Sequence, residues 1–221
     1  MSFRFTATLA AVFVFTLGSA QAGKPELRAD QAAGTKAQVQ LGATSFTSCA
    51  ACHGTKGEGG SGLAPALVNN RYLEVVSNEA LKHTIAEGRA NTSMMAWKSM
   101  FSEDELDGLV ALLRSWQRSE AGPINTEPLT GDVATGESVY RDNCASCHGK
   151  KARGYSQGAS APAIGRVGFL STVSDGELRA MLRSGRGDTV KHPSKGASAA
   201  VGKLSQVQID SVLQYLRATA K

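Results

Sequence analysis

The sequence predicts an all-α protein made of two tandem helical modules. Three observations support this fold class: blocks of sequence recur in the same order, each copy spaces its apolar residues with the period of a helix, and no segment alternates apolar and polar residues as a strand would. The chain has 221 residues, which is enough for two small domains.

The repeat consists of three pairs of matching segments. The pairs are CAACHG at 49–54 and CASCHG at 144–149, VSNEALKHTIAEGR at 76–89 and VSDGELRAMLRSGR at 173–186, and FSEDELDGLVALLRS at 101–115 and LSQVQIDSVLQYLRA at 204–218. We therefore predict a first domain over 23–119 and a second over 133–221, called module one and module two below. Residues 120–132 between them are rich in glycine and proline and are predicted to be a linker.

The last helix of each module has a clear start signal. Ser102 and Glu105 have the spacing of a capping box, and so do Ser205 and Gln208 in module two. Apolar residues then follow at 3.6-residue spacing, so each of these helices has one face to bury. The apolar positions are Leu106, Leu109, Val110 and Leu113 in module one, and Ile209, Val212, Leu213 and Leu216 in module two.

A middle helix is predicted to begin near Ser77 in module one and near Ser174 in module two. It should end at Gly88 or Gly185, because glycine favours the left-handed conformation that often closes a helix. A first helix is predicted before each cysteine pair, over 37–48 and 134–143.

Residues 1–22 are predicted to be a secretory signal peptide. Arg4 is their only charge, residues 5–17 are apolar, and Ala20-Gln21-Ala22 offers a cleavage site after Ala22. The alternative is an uncleaved anchor. No later segment is apolar enough to span a bilayer, so the mature protein is expected in a bacterial periplasm, with no membrane span after cleavage.

The composition excludes some functions and leaves the cores short of apolar mass. The formal charge is +5 and the basic residues are scattered, so no nucleic-acid partner is expected. Aromatic residues make up only 6% of the chain, and two small modules cannot easily build cores without them. We therefore expect another bulky apolar group inside each module.

The cysteines point to that group. The chain has 4 cysteines, and all lie in two Cys-x-x-Cys-His motifs: Cys49 and Cys52 before His53, and Cys144 and Cys147 before His148. This motif attaches c-type haem, since two thiols on one helical turn can each form a thioether with the porphyrin and the histidine can ligate iron. A zinc site would need about four nitrogen or sulfur ligands, and a thioredoxin-like motif would need a βαβ context.

With these motifs, the chain resembles a di-haem class I c-type cytochrome over nearly all of its mature length. The resemblance implies two covalently bound haem c groups, each wrapped by one cytochrome c-type helical domain. It also implies that the carbonyl of a loop proline accepts a hydrogen bond from the proximal histidine, a position that Pro65 and Pro162 match.

The same resemblance implies a methionine as the second axial ligand of the iron in module one. Met94, in the segment Met94-Met95-Ala96-Trp97, matches the position of that ligand. Met95 and Met100 are the alternatives.

Module two has no methionine in the corresponding loop. Its only methionine, Met181, lies in the middle helix and is predicted to be a core residue, while His83, on the middle helix of module one, should lie on the surface. His192, followed by Pro193, stands where the ligand is expected, so haem two is predicted to be bis-histidine. The alternatives are an open iron or a lysine, from Lys191, Lys195 and Lys203.

These assignments predict an electron carrier with no catalytic residues. Methionine ligation raises a haem potential relative to histidine, so haem one should have the higher potential. Residues 23–122 hold 10 basic and 11 acidic side chains and residues 123–221 hold 13 and 8, so module two should present a basic rim to transient protein redox partners. The alternatives are an electron-transfer subunit of a larger dehydrogenase or oxidase, and a haem enzyme that reduces peroxide or converts a small sulfur anion at a labile haem two.

Overall fold

The structure is a computed structural model that describes residues 28–59, 64–68, 71–89, 92–118, 121–154, 163–184 and 201–221. The predicted signal peptide lies outside the described residues.

Helices form the described part of both modules. Module one contains α1 (Lys36–Ser45), α2 (Ala50–His53), α3 (Tyr72–Val75), α4 (Asn78–Glu87) and α5 (Glu103–Ser115), with 3₁₀ turns at Ala29–Gln31 and Phe46–Ser48. Module two contains α6 (Val133–Asn143), α7 (Ala145–His148), α8 (Val167–Leu170), α9 (Asp175–Ser184) and α10 (Gln206–Thr219). No β-strand occurs in the described ranges, so the all-α prediction is confirmed. The short helices α3 and α8 lie in or beside loops where no helix was predicted.

The predicted helix starts are confirmed. Capping boxes at Ser102 and Ser205 begin α5 and α10, and the Ser77 hydroxyl accepts a hydrogen bond from the backbone N–H of Ala80 at the start of α4. At the end of α4, Gly88 has φ 67°, which a residue with a side chain would adopt at a cost. Gly185, its predicted counterpart, lies outside the described residues.

The first and last helices of each module cross where their backbones nearly touch. A Cβ atom on Gly42 of α1 would overlap the carbonyl oxygen of Gly108 of α5. In module two, a Cβ atom on Gly136 of α6 would overlap the carbonyl oxygen of Ser211 of α10. Glycine at these positions therefore sets the closeness of the crossing that frames each cysteine motif.

The two modules reach their cysteine motifs by different backbone paths. Gly42 and Cys49 are separated by one residue fewer than Gly136 and Cys144. In module one the 3₁₀ turn Phe46–Ser48 follows α1, whereas α6 stays α-helical to Asn143. A 3₁₀ turn rises about 2.0 Å per residue and an α-helix about 1.5 Å, so three 3₁₀ residues span the same ~6 Å as four α-helical ones. The 3₁₀ turn thus compensates for the missing residue.

Each module has its own apolar core, in which the last helix is central. The eight apolar positions predicted on α5 and α10 are all buried. Met181 packs against the core of module two, and His83 is exposed, as predicted.

An arginine on each last helix ties the short helix to the middle helix. Arg114 donates hydrogen bonds to the carbonyl oxygens of Leu73 and Val76, both at 2.5 Å, and to the Asn78 side chain at 2.6 Å. We call this arrangement the arginine clasp. Because one guanidinium holds acceptors from both segments, the clasp fixes α3 against the start of α4.

Module two repeats the clasp at the matching positions. Arg217 donates to the carbonyl oxygens of Leu170 and Val173 and to the carboxylate of Asp175. The two arginines align in the repeat of the last helix, but sequence analysis did not assign them a role.

Candidate haem-binding sites

The cysteines and histidine of module one lie on one helical turn. The backbone N–H groups of Cys52 and His53 both donate to the carbonyl oxygen of Cys49, at 3.1 and 3.0 Å. Side chains three and four residues apart share a helix face. The spacing of the motif therefore directs both thiols and the imidazole to the same side of α2.

The His53 ring has a defined orientation and tautomer. Its Nδ1 lies 3.0 Å from the carbonyl oxygen of Pro65. A carbonyl can only accept, so Nδ1 carries the proton and the lone pair is on Nε2. No hydrogen bond within the described part of the chain reaches Nε2.

Burial favours the neutral form of this imidazole. Desolvation lowers the pKa of His53, the hydrogen bond to Pro65 opposes that effect, and the positive charge of Arg89 lowers the pKa further. A neutral imidazole with a free Nε2 lone pair is the form that ligates a metal.

The thiols do not resemble those of a reactive dithiol site. Burial, with a smaller effect of Cys52, raises the pKa of Cys49, and burial raises the pKa of Cys144 to about 11. Catalytic dithiols need a lowered pKa, because the thiolate is the nucleophile. All four cysteines are also free of disulfides.

The methionine loop folds back onto the end of α4. The backbone N–H of Arg89 donates to the carbonyl oxygen of Met94 at 2.8 Å, and the Met94 N–H donates to the Thr92 hydroxyl at 3.1 Å. Gly88 permits this approach, since a Cβ there would lie 2.5 Å from the Met94 carbonyl oxygen. Met94 is half-buried in this loop.

The other two methionines of the loop point more strongly to solvent. Met95 is 53% exposed and Met100 is 60% exposed. Among the three methionines that sequence analysis proposed, Met94 is therefore the one most shielded from water.

Module two repeats the first site in its described part. The N–H groups of Cys147 and His148 donate to the carbonyl oxygen of Cys144, at 3.1 and 2.9 Å. Behind them, the Tyr140 hydroxyl donates to the carbonyl oxygen of Gly149 at 2.6 Å, and burial raises the pKa of this phenol, which therefore stays a donor. Sequence analysis missed this tyrosine. It lies four residues before Cys144, and the residue at the same distance before Cys49 is Ser45.

The remaining predicted site residues of module two lie mostly outside the described residues. These are Pro162, Lys191, His192 and Lys195. Lys203 is described and is exposed.

Two further features of the described residues bear on the site. No group of three or more His, Cys, Asp or Glu side chains within them could hold a metal ion, so a zinc site of that kind is not formed there. Nor does any helix in these ranges have the length and apolar character needed to cross a membrane.

Comparison with known proteins places the chain in a family. The family model for cytochrome c oxidase, cbb3-type, subunit III matches residues 37–113 and, a second time, residues 131–216. The chain belongs to this family. The two matches confirm the recognition of tandem cytochrome c domains.

Two similar curated proteins are named as subunits of cbb3-type cytochrome c oxidases. The Cbb3-type cytochrome c oxidase subunit CcoP of Rhodobacter capsulatus is 28% identical over 182 residues, covering 77% of this chain and 58% of the relative. The FixPc subunit of Rhizobium leguminosarum bv. viciae is 34% identical over 117 residues, covering 51% of this chain and 40% of the relative. The chain thus spans less than two thirds of the length of these relatives.

A solved structure shows the same fold. The Kuenenia stuttgartiensis reducing HAO-like protein complex Kustc0457/Kustc0458 contains a chain that aligns with a TM-score of 0.50 and 16% identity, over 86% of this chain and 98% of that one. At this identity the likeness concerns the fold alone.

Membership in a cytochrome c family implies covalently bound haem c, and the donor set fits that group. Cys49 and Cys52 offer two thiols on one helix face, and His53 offers a neutral imidazole that is oriented by Pro65. A porphyrin supplies four nitrogen ligands itself, so this site needs only axial side chains and no cluster of acidic or histidine residues.

Proposed function

We propose that the chain is a di-haem c-type cytochrome that transfers electrons between protein redox partners in the periplasm. The observation that carries this proposal is the orientation of His53 by the Pro65 carbonyl, on a Cys-x-x-Cys-His helix that module two repeats. The repeat supports one haem per module.

In module one, Cys49 and Cys52 form the thioethers and His53 ligates the iron through Nε2. Pro65 holds the ring in place, since its carbonyl accepts a hydrogen bond from the Nδ1–H group. Met94 supplies the second axial ligand. Its partial burial and its place in a loop bonded to Arg89 support this choice over Met95 and Met100.

In module two, Cys144 and Cys147 form the thioethers and His148 ligates the iron. His192 supplies the second axial ligand, and Pro162 orients His148 as Pro65 orients His53. These assignments rest on the repeat of the sequence, because Pro162 and His192 lie outside the described residues.

Electron transfer follows from this ligand set. Haem bound by these residues would supply one-electron redox chemistry. His53 and Met94 in module one, and His148 and His192 in module two, would hold the iron and leave no coordination site for a substrate, and the half-buried His53 and His148 would limit the access of water. The protein therefore acts as a carrier rather than as an enzyme.

The partners are other redox proteins. The relatives CcoP and FixPc are named as oxidase subunits, which favours transfer into or within a larger oxidoreductase complex. Lys150 and Lys151 are exposed directly after the second motif and present positive charge to an acidic partner. Partner reduction rates should then fall as the salt concentration rises.

The deciding experiment uses the full chain made in a host that matures c-type cytochromes. Its mass should exceed that of the peptide cleaved after Ala22 by two haems, and low-temperature electron paramagnetic resonance should show two six-coordinate ferric centres. A product with the mass of the bare peptide and no Soret band would overturn the proposal.

A further inference from the structure

A carboxylate of module two forms a hydrogen bond with the backbone of module one. Glu177 lies in the first turn of α9 and is only 4% exposed. Its Oε1 accepts a hydrogen bond from the backbone N–H of Ser77, the residue that caps α4, at 2.6 Å. Its Oε2 accepts from the N–H and the hydroxyl of Ser174, both at 2.7 Å. One carboxylate therefore serves the starts of two helices in two modules.

The repeat shows why module one depends on this contact. A complete capping box needs Glu or Gln three residues after the capping serine. Module two has Glu177 at that position, whereas module one has Ala80. Glu177 supplies the acceptor for Ser77 that Ala80 cannot.

The arginine clasps also differ in having an acidic acceptor in module two and a neutral one in module one. Arg217 binds the carboxylate of its own module, Asp175, at 2.9 Å, but Arg114 binds the neutral side chain of Asn78. Burial lowers the pKa of Arg114 to about 10, and Glu177 is one of the negative charges that oppose this effect. Module one therefore has Asn78 and Ala80 where module two has the acidic residues Asp175 and Glu177. The carboxylate of Glu177 bonds to Ser77 and interacts electrostatically with Arg114, so it acts on both of these sites in module one.

We propose that Glu177 is a positioning residue that fixes module one on module two, so that the two haems keep one separation for electron transfer. The statement about the separation of the haems rests on the proposed function. The statement that Glu177 fixes module one on module two rests only on the contacts of Glu177.

Other contacts across the boundary agree with a fixed arrangement. The guanidinium of Arg89 in module one lies 5.0 Å from the ring centroid of Phe169 in module two, within the range of a cation–π interaction. The linker is also held at both ends. Arg28 donates to the carbonyl oxygen of Gly122 at 2.9 Å, and Arg179 donates to that of Pro128 at 3.0 Å.

The substitution E177Q tests the inference selectively. Gln38 and Gln208 complete capping boxes in this chain, so glutamine should preserve the start of α9. An amide has only one oxygen, and with that oxygen on Ser174 its NH₂ group would face the N–H of Ser77. The variant therefore loses the bond between the modules and keeps the bond within module two.

Hydrogen exchange in the full-length holoprotein gives the readout. In E177Q, amide exchange in α4 should accelerate about five- to thirtyfold, the change expected when a helix cap is lost. Exchange in α9 should stay unchanged. Slower or unchanged exchange in α4, or an equal increase in both helices, would overturn the proposal.

Two matched variants complete the design. E79Q removes an exposed acidic side chain from the first turn of α4 and should leave exchange near wild type. S174A removes the hydroxyl that caps α9 and should accelerate exchange in α9 more than in α4. An E79Q effect as large as that of E177Q would assign the change to helix charge and contradict the proposal.

The redox consequence has a separate measurement. Electron equilibration between the haems, followed after a light pulse reduces one of them, should slow severalfold in E177Q while both midpoint potentials stay unchanged. An unchanged rate would overturn the second part of the inference. If the wild-type chain carried fewer than two haems, the proposed function would fail, and the exchange data would still decide the contact with Ser77.

Discussion

Gly42 and Gly108 bring the first and last helices of module one into direct backbone contact. The Gly42 N–H and Cα border the position that a Cβ on Gly108 would occupy, and a Cβ on Gly42 would overlap the Gly108 carbonyl. Both residues are buried. The contact leads through the 3₁₀ turn Phe46–Ser48 to Cys49, so the helix crossing determines where the candidate haem-binding turn begins.

Replacing Gly42 with alanine should destabilise module one. Alanine favours a helix over glycine by about 1 kcal/mol, but forcing a methyl group into a packed contact costs about 1–3 kcal/mol. The clash is with backbone atoms, which cannot rotate away, so the steric cost should exceed the gain in helix propensity. Denaturant unfolding of the holoprotein measures the net change.

Ala43 provides the control for this variant. It neighbours Gly42 on α1 and is exposed, so A43S should change the free energy of unfolding by less than about 0.5 kcal/mol. A G42A protein as stable as wild type would show that the helices can separate without loss.

Replacing Arg114 with methionine should destabilise module one by about 2–4 kcal/mol. The side chain is only 4% exposed and donates hydrogen bonds to Leu73, Val76 and Asn78. Methionine would fill similar space but remove the hydrogen bonds to the carbonyl oxygens of Leu73 and Val76 and to the half-buried Asn78 oxygen, and each such bond contributes about 0.5–1.5 kcal/mol. Thermal unfolding monitored at the Soret band tests the prediction.

The exposed Arg118 provides the control that distinguishes the loss of a charge from the loss of hydrogen bonds. R118M removes the same charge from a residue just beyond the end of the same helix and should leave the melting temperature nearly unchanged. Equal losses in the two variants would assign the effect to net charge.

The sequence predicted the elements that carry local signals. Capping boxes at Ser102 and Ser205 and the apolar periodicity of the last helices determined where α5 and α10 lie, because these signals act within a few residues. The Cys-x-x-Cys-His spacing likewise placed both thiols on one turn.

Contacts between distant segments could not be predicted in this way. The start of α9 near Ser174 was predicted, but Glu177 also accepts a hydrogen bond from Ser77, one hundred residues earlier. Arg114 and Arg217 occupied matching positions in the repeat, yet a charged residue near an apolar face is usually solvated. Their acceptors include the backbone carbonyls of Leu73, Val76, Leu170 and Val173, which leave no trace in a sequence.

Module two should lose stability in acid, because the stabilising contribution of ionised Asp210 is lost there. Although burial opposes ionisation, hydrogen bonds from Arg179, Thr130 and Gln206 hold the pKa of this carboxyl below its usual range. The folded state therefore binds the proton less tightly than the unfolded state, and stability rises with pH. The contribution should be complete at pH 7 and should fall progressively below about pH 4, the usual aspartate pKa.

The variant D210N isolates this effect. At pH 7 its free energy of unfolding should be about 3 kcal/mol lower than that of wild type, because Arg179 would remain buried without its ionic partner. The difference from wild type should shrink as the pH falls below about 4, because the unfolded state then binds the proton that the folded carboxyl resists. D142N, which alters an exposed ion pair with Arg141, should show no such trend. A difference that stayed constant with pH would contradict the assignment.

The methionine ligand of module one can be identified by three parallel substitutions. M94L should abolish the signature of histidine–methionine coordination in the near-infrared charge-transfer region and lower the higher of two midpoint potentials, since thioether ligation favours ferrous iron. M95L and M100L replace the more exposed side chains and should retain both properties. A redox titration of H192M should show that the lower midpoint potential rises and that the higher one is unchanged. If M95L or M100L lost the signature instead of M94L, the ligand in module one would have to be reassigned, and an H192M protein with unchanged spectra would exclude His192 as a ligand.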